Sequence, residues 1–293
     1  RDGRRLWPTK FGRRVSDLYI DPLSAVLLRE AVQRAGLREE VTPLAWLTAL
    51  CSTPDMMTFF LRRSDYKDVS ELAERHRDDF LVEDVDEELE REEFLAEVKT
   101  ASMFQDWIGE SSEDAISVKY GIGPGDIRGK VDNGRWLLYG AAEIARITGY
   151  AELGRQLRDL ERRISYGVRE ELLPLVSLRG VGRRRARALW AKGFRRPGDL
   201  RDVTVDQLAA IPGLGRVLAE SIISQVNEGR PRKEERTTTW EQEGGAGTGD
   251  HEASGEEAPG GDDEGEDGED EAHAPSFQVS LSSFSRDGGG DDG

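Results

Sequence analysis

Leu178-Arg179-Gly180-Val181-Gly182-Arg183-Arg184-Arg185-Ala186-Arg187 and, 33 residues on, Ile211-Pro212-Gly213-Leu214-Gly215-Arg216-Val217-Leu218-Ala219 decide how this chain is read. Both copies run apolar, any residue, Gly, apolar, Gly, three residues, Ala. A Gly-x-Gly turn that opens a helix leaves the first-turn N–H groups unpaired at the helix's positive end, an arrangement that suits a phosphate. Glycines of an ordinary turn between two helices are the structural alternative. Two such turns at a regular interval, the first followed by Arg183, Arg184, Arg185 and Arg187 and the second by Arg216, read as paired helix-hairpin-helix motifs. Such motifs grip a nucleic-acid backbone without reading its bases. Gly180, Gly182, Gly213 and Gly215 with those arginines are the candidate contacts.

Charge along the chain supports a local basic surface. The 293 residues carry a formal charge of −17, but from Thr237 onward there are 17 acids and one base, Arg286, so the remainder is close to neutral. Between Tyr166 and Arg230 the sign reverses, with 12 bases against 7 acids. Arginine outnumbers lysine 34 to 7, which fits bidentate phosphate contact and equally a GC-rich genome. The single cysteine, Cys51, excludes an internal disulfide and a Cys-based metal cluster, and its apolar neighbours predict a buried, inert thiol. Without a long apolar run or a signal peptide, a cytoplasmic, nucleoid-associated protein with no membrane partner is expected.

Upstream of the paired turns the apolar spacing is helical. Arg4-Arg5-Leu6-Trp7-Pro8 looks like the closing strand of something larger, and the chain is read as the C-terminal part of a longer protein or of a split gene. Helices are expected through Leu18, from Leu23, from Leu44 to Leu50, and around Phe94 to Ile108 behind the acidic run Glu83 to Glu93. A longer one runs from about Gly125 to Thr148, started by Gly123-Pro124-Gly125-Asp126 and stopped by Gly149. At about 100° per residue, Ile127, Val131, Leu138, Ala141 and Ala145 form its core arc. Trp136 falls opposite, near Gly129, Asn133 and Gly140. An exposed aromatic among small residues suits base stacking; packing against another helix is the alternative. From Thr237 the chain lacks the apolar content to fold and should be disordered. At its far end Gln278, Leu281 and Phe284 are spaced to plug an apolar pocket from one helical turn.

Phe11-Gly12-Arg13-Arg14-Val15-Ser16-Asp17-Leu18-Tyr19-Ile20-Asp21-Pro22-Leu23, read as one string, resembles the archaeal superfamily 2 DNA helicases that act at stalled forks, relatives of helicase Q and of the polymerase theta helicase domain. Ser52-Thr53-Pro54-Asp55-Met56, Glu97 to Ala101, Asp106-Trp107-Ile108 and Tyr120 to Asp126 match as well. The resemblance extends to about Val226 and implies a mainly α chain. Residues 1–20 would end a winged helix, 21–163 form an all-α ratchet domain, 164–230 a helix-hairpin-helix domain, and 231–293 an acidic tail. It also implies that Trp136 stacks on a base of the translocating strand. The family's ratchet arginine aligns with Gly129, leaving Arg128 and Lys130 on either side. Arg185-Ala186-Arg187 is similar to the family's single-strand contact in the last domain, thought to brake the emerging 3′ tail. The Gln278 to Phe284 segment resembles the sliding-clamp-binding peptide of replication and repair proteins, with Ser285 where a second aromatic is usual.

The chain contains no phosphate-loop lysine motif, and its three histidines form no catalytic or metal constellation. ATP and magnesium are therefore expected only for motor domains elsewhere, and this chain alone should not hydrolyse ATP. The expected partners are single-stranded and forked DNA, the sliding clamp, and a separately encoded motor if the gene is split. A stand-alone adaptor joining branched DNA to the clamp is the competing reading, ahead of a nuclease tail.

Overall fold

The computed structural model describes residues 7–82 and 88–228. Residues 1–6 and 229–293, with the acidic tail and the candidate peptide at Gln278, Leu281 and Phe284, lie outside the described residues, as do 83–87 of the acidic run. Twelve α-helices follow one another among the described residues, with no strand between them. They are α1 (Lys10–Leu18), α2 (Pro22–Ala35), α3 (Pro43–Cys51), α4 (Tyr66–Arg75), α5 (Glu88–Ile108) and α6 (Glu113–Tyr120). Then come α7 (Pro124–Ile147), α8 (Ala151–Tyr166), α9 (Leu173–Val176), α10 (Arg183–Ala191), α11 (Val205–Ala209) and α12 (Arg216–Glu228). The all-α expectation holds. The connector after Phe194 is itself folded, into a 3-10 turn (Pro197–Leu200) and the short α11.

Two apolar cores organise these helices. One gathers buried side chains from Val15 to Ile164, the other from Val168 to Val226. Helix α3 is apolar all round and wholly buried, which explains the run Trp46 to Cys51. Burial, reinforced by nearby Glu97, pushes the Cys51 thiol far up, so it stays protonated and inert.

Helix α7 is the axis of the first core. Pro124 occupies its first turn and the Asp126 carboxylate accepts from the Gly123 amide at 2.9 Å, closing the N-terminus. Ile127, Val131, Leu138, Ala141 and Ala145 are buried, as the helical spacing predicts. From Leu137 to Ala145 burial extends almost right round, because α8 packs along α7. Glycine allows the closest approaches: a Cβ on Gly134 would meet the buried Phe104 ring at 2.8 Å, and one on Gly154 the Ala142 carbonyl at 3.1 Å. Buried Glu143 then ties three helices together, accepting from Arg14 (2.8 Å), Arg146 (3.0 Å) and Arg158 (2.9 Å). Burial alone would raise its pKa, but these guanidinium bonds hold it below the usual carboxylate range.

Candidate nucleic-acid interface

Trp136 lies on the side of α7 away from its core arc, yet it is not the free, exposed ring expected from the helical wheel. It is half-buried, and its indole N–H donates to the Leu18 carbonyl at 3.0 Å. The α1–α2 connection covers that side. Ile20 sits so close to Gly140 that a Cβ there would collide with it, and Asn133 donates to the Asp55 carbonyl at 2.6 Å. A wheel shows which way a residue points but not what the rest of the chain lays over it. The half-buried ring is anchored by its N–H and keeps part of its surface open. Both the packing alternative and an accessible surface are therefore present.

Toward the N-terminal end of the same face the surface opens. Gly129 has nothing within 4 Å of where a Cβ would stand. Arg128 is exposed and makes no ion pair or hydrogen bond among the described residues. Lys130 is half-buried instead: its ammonium donates to the Met57 carbonyl and lies 5.3 Å from the Phe59 ring centre. Desolvation lowers its pKa. Of the two cations flanking Gly129, only Arg128 is free to meet a phosphate.

The second core positions the paired turns. Gly180 (φ +82°) and Gly213 (φ +83°) both take the left-handed conformation that favours glycine. Gly180 also admits Leu218 of α12, which would stand 2.7 Å from a Cβ at that position. Gly182 and Gly215 face open space, and no side chain caps α10, so its first-turn amides have no side-chain acceptor. The two turns are tied to each other. Arg185 donates to the carbonyls of Gly180 (2.7 Å) and Gly213 (2.9 Å), and Gln225 bonds both backbone polar groups of Arg179.

The basic run divides by partner. Arg183 stacks 4.4 Å from the Trp107 ring and donates to the Ser111 carbonyl at 2.9 Å. Arg187 bonds both oxygens of Glu110 and reaches Glu171 at 2.9 Å. Glu110 holds a left-handed backbone (φ +75°) and also accepts from the Arg169 amide at 3.2 Å. Burial works against its charge, but these bonds keep its pKa below the ordinary value. These two arginines join α10 to the end of α5. Arg184 alone of the run is exposed with no partner among the described residues, while Arg216 is exposed and paired with Asp206 and Glu220.

One part of the surface escaped the sequence reading. In the loop after α3 burial repeats every three residues: Met56 and Phe59 are buried, whereas Met57 is 80% and Phe60 84% exposed. Five apolar residues within Met56 to Leu61, followed by Arg62-Arg63, was the available signal.

Among the described residues no helix is long and apolar enough to cross a membrane, and no group of three His, Cys, Asp or Glu could hold a metal ion. Residues 44–167 match the family model described as archaeal helicase, domain 4, and residues 172–228 match the SAM-like helix-hairpin-helix tandem. The ATP-dependent DNA helicase Hel308 of Methanocella arvoryzae is 44% identical over 227 residues, which is 76% of this chain and 30% of that protein. That of Pyrobaculum calidifontis is 40% identical over 229 residues, 78% of this chain and 30% of the relative. That of Thermococcus kodakarensis is 38% identical over 215 residues, 72% and 19% respectively. The chain thus spans less than a third of the length of these curated relatives. With an archaeal helicase domain 4 at 44–167 and a helix-hairpin-helix tandem at 172–228, this chain belongs with the C-terminal accessory region of the archaeal superfamily 2 DNA helicases.

Proposed function

We propose that these residues grip the translocating single strand for an ATP-driven 3′→5′ DNA helicase working at stalled or damaged forks. The observation that carries the reading is the α7 face. An aromatic anchored through its indole N–H stands two turns from an open glycine and an unpaired arginine, within a segment that matches an archaeal helicase domain. Trp136 stacks on a base and Arg128 meets the backbone. Arg184 and the uncapped α10 amides take phosphates further along. ATP turnover belongs to motor domains outside the described residues. Gln278, Leu281 and Phe284 would tether the enzyme to a sliding clamp, a role supported by their spacing alone.

The test is fluorescence anisotropy of the chain with labelled single-stranded and forked DNA across a salt series, alongside Trp136→Ala and Trp136→Phe. Wild type should bind single strands, with an affinity that falls as salt rises, by about 0.7 log units per log of salt for each phosphate neutralised. Trp136→Ala should lose a stacking increment of about 1–3 kcal/mol. Trp136→Phe, which keeps a ring, should retain most of the affinity. Binding that ignores Trp136 would sink the proposal.

A further inference from the structure

Phe60 is a large aromatic that the protein takes trouble to expose. Its own backbone is fixed from beneath. Buried Lys99 donates to the Phe60 carbonyl at 2.7 Å and to Asp65 at 2.7 Å, and the Phe59 amide donates to the Thr100 hydroxyl at 2.8 Å. Burying an ammonium is costly unless it is fully partnered, so this loop is held by groups that would not tolerate being left unpaired. Arg62 fastens the far side, donating to the Gly121 carbonyl at 3.3 Å. Gly121 is left-handed (φ +67°), and a Cβ there would run into that guanidinium. The result is a rigid loop with Met57 and Phe60 pointing into solvent. Two large apolar side chains exposed three residues apart on one fixed backbone are more than the single scattered surface residue that needs no explanation.

Its position identifies the occupant. The Met57 carbonyl is held by Lys130 and the Asp55 carbonyl by Asn133, so the loop runs beside the α7 face toward Gly129. From Gly129 to Trp136 is two helical turns, about 10 Å along the axis. That length accommodates a few nucleotides of a single strand. The charge around the loop is basic. From Met57 to Lys67 there are three bases, Arg62, Arg63 and Lys67, the last 4.0 Å from Glu71, and one acid, Asp65, which buried Lys99 already neutralises. Arg63 is exposed with no partner among the described residues. Of the acids on this part of α7, Asp126 caps the helix and Asp132 lies 3.9 Å from Arg135. Exposed Phe60, with Arg63 and Arg128 unpaired among the described residues beside a strand-gripping face, fits a polyanion with stackable bases rather than an apolar protein surface.

We infer that Phe60, with Met57 beside it, is a second stacking contact for single-stranded nucleic acid, holding bases a few nucleotides from the one on Trp136. This rests on the strand-gripping reading of the α7 face. Stacking is indifferent to base identity, so the contact adds affinity without sequence preference.

Anisotropy of the full chain with a labelled oligothymidylate separates the two ideas, using Phe60→Ala, Phe60→Trp and Trp136→Ala, with thermal unfolding of each variant. Phe60→Ala should weaken binding about fivefold or more. Its thermal midpoint should match wild type, because the side chain is 84% exposed, and its salt slope should be unchanged, because no phosphate contact is lost. Phe60→Trp should bind at least as tightly as wild type. If Trp136→Ala weakens binding and Phe60→Ala does not, this inference alone fails and the patch belongs to a protein contact. If wild type does not bind, or neither variant weakens binding, the strand-gripping reading fails and takes this one with it.

Discussion

Arg184 and Arg187 lie three residues apart on one helix and do opposite work. Arg187 is enclosed by Glu110 and Glu171, whereas Arg184 faces solvent without a partner among the described residues. Arg184→Ala should therefore weaken single-strand binding and flatten the salt dependence by about 0.7 log units per log of salt, with stability unchanged. Arg187→Ala should strip Glu110 and Glu171 of their guanidinium hydrogen bonds and cost about 1–3 kcal/mol in thermal or denaturant unfolding. The pH dependence follows with a definite sign. Glu110 and Glu171 have folded-state pKa values depressed by Arg187, so their stabilisation is complete above the ordinary carboxylate value and lost as pH falls through the depressed ones. Below about pH 4.3 wild type should lose thermal stability more steeply than Arg187→Ala; parallel curves would contradict this assignment. The sequence made the basic run visible as a candidate surface. Which of its members are spent internally depends on Glu110 and Trp107, more than 70 residues away, and no local pattern encodes that.

Within α7 the glycines behave as two populations, and substitution separates them. Gly129 faces open space in mid-helix, so Gly129→Ala should stabilise by about 0.5–1 kcal/mol through helix propensity. Gly129→Arg, which puts a cation on the Trp136 side, should in addition tighten single-strand binding. Gly134 lies against the rigid, buried Phe104 ring, and Gly134→Ala should destabilise by about 1–3 kcal/mol. Circular-dichroism melts of both alanine variants check the opposite signs. The neighbouring α5 carries a second pH signature. Burial, reinforced by Glu93, pushes Glu97 up to about 7. An acid raised in the folded state loses stabilisation as pH rises from its ordinary value through the raised one. Glu97→Gln should accordingly raise the melting temperature at pH 8 and not at pH 5, outside the acid window of Glu110. Periodicity sufficed to locate α7 and its core arc, because five apolar residues share one 100° pattern. It could not show α1 and the loop after α3 lying over the other side, since those contacts join residues more than 70 positions apart.

At the scale of the whole chain, composition was the most legible feature. Acidic residues crowd past Thr237 while bases crowd between Tyr166 and Arg230, and the paired glycine turns mark the second core. The 17 acids and one base past Thr237 predict competition with DNA for the basic surface. Deleting residues 237–293 should tighten single-strand binding at low salt, with the difference shrinking as the Debye length falls to about 8 Å at physiological ionic strength. Equal affinities in both proteins at low salt would remove the tail from the account. The exposed loop around Phe60 was the least legible part, because consecutive apolar residues predict burial, and the bonds from Lys99 and Thr100 that fix the loop with Met57 and Phe60 outward come from α5, about 40 residues on.

On the proposed function, single-stranded DNA lies along the α7 face. The most direct measurement is photocrosslinking of the full chain to a single strand carrying bromouracil, followed by mass spectrometry of the crosslinked peptides. Crosslinks are expected at Trp136 and in the loop from Met57 to Lys67, and should be lost when the corresponding aromatic is replaced by alanine. Crosslinks confined to other surfaces, with Trp136 and that loop unmodified, would contradict it.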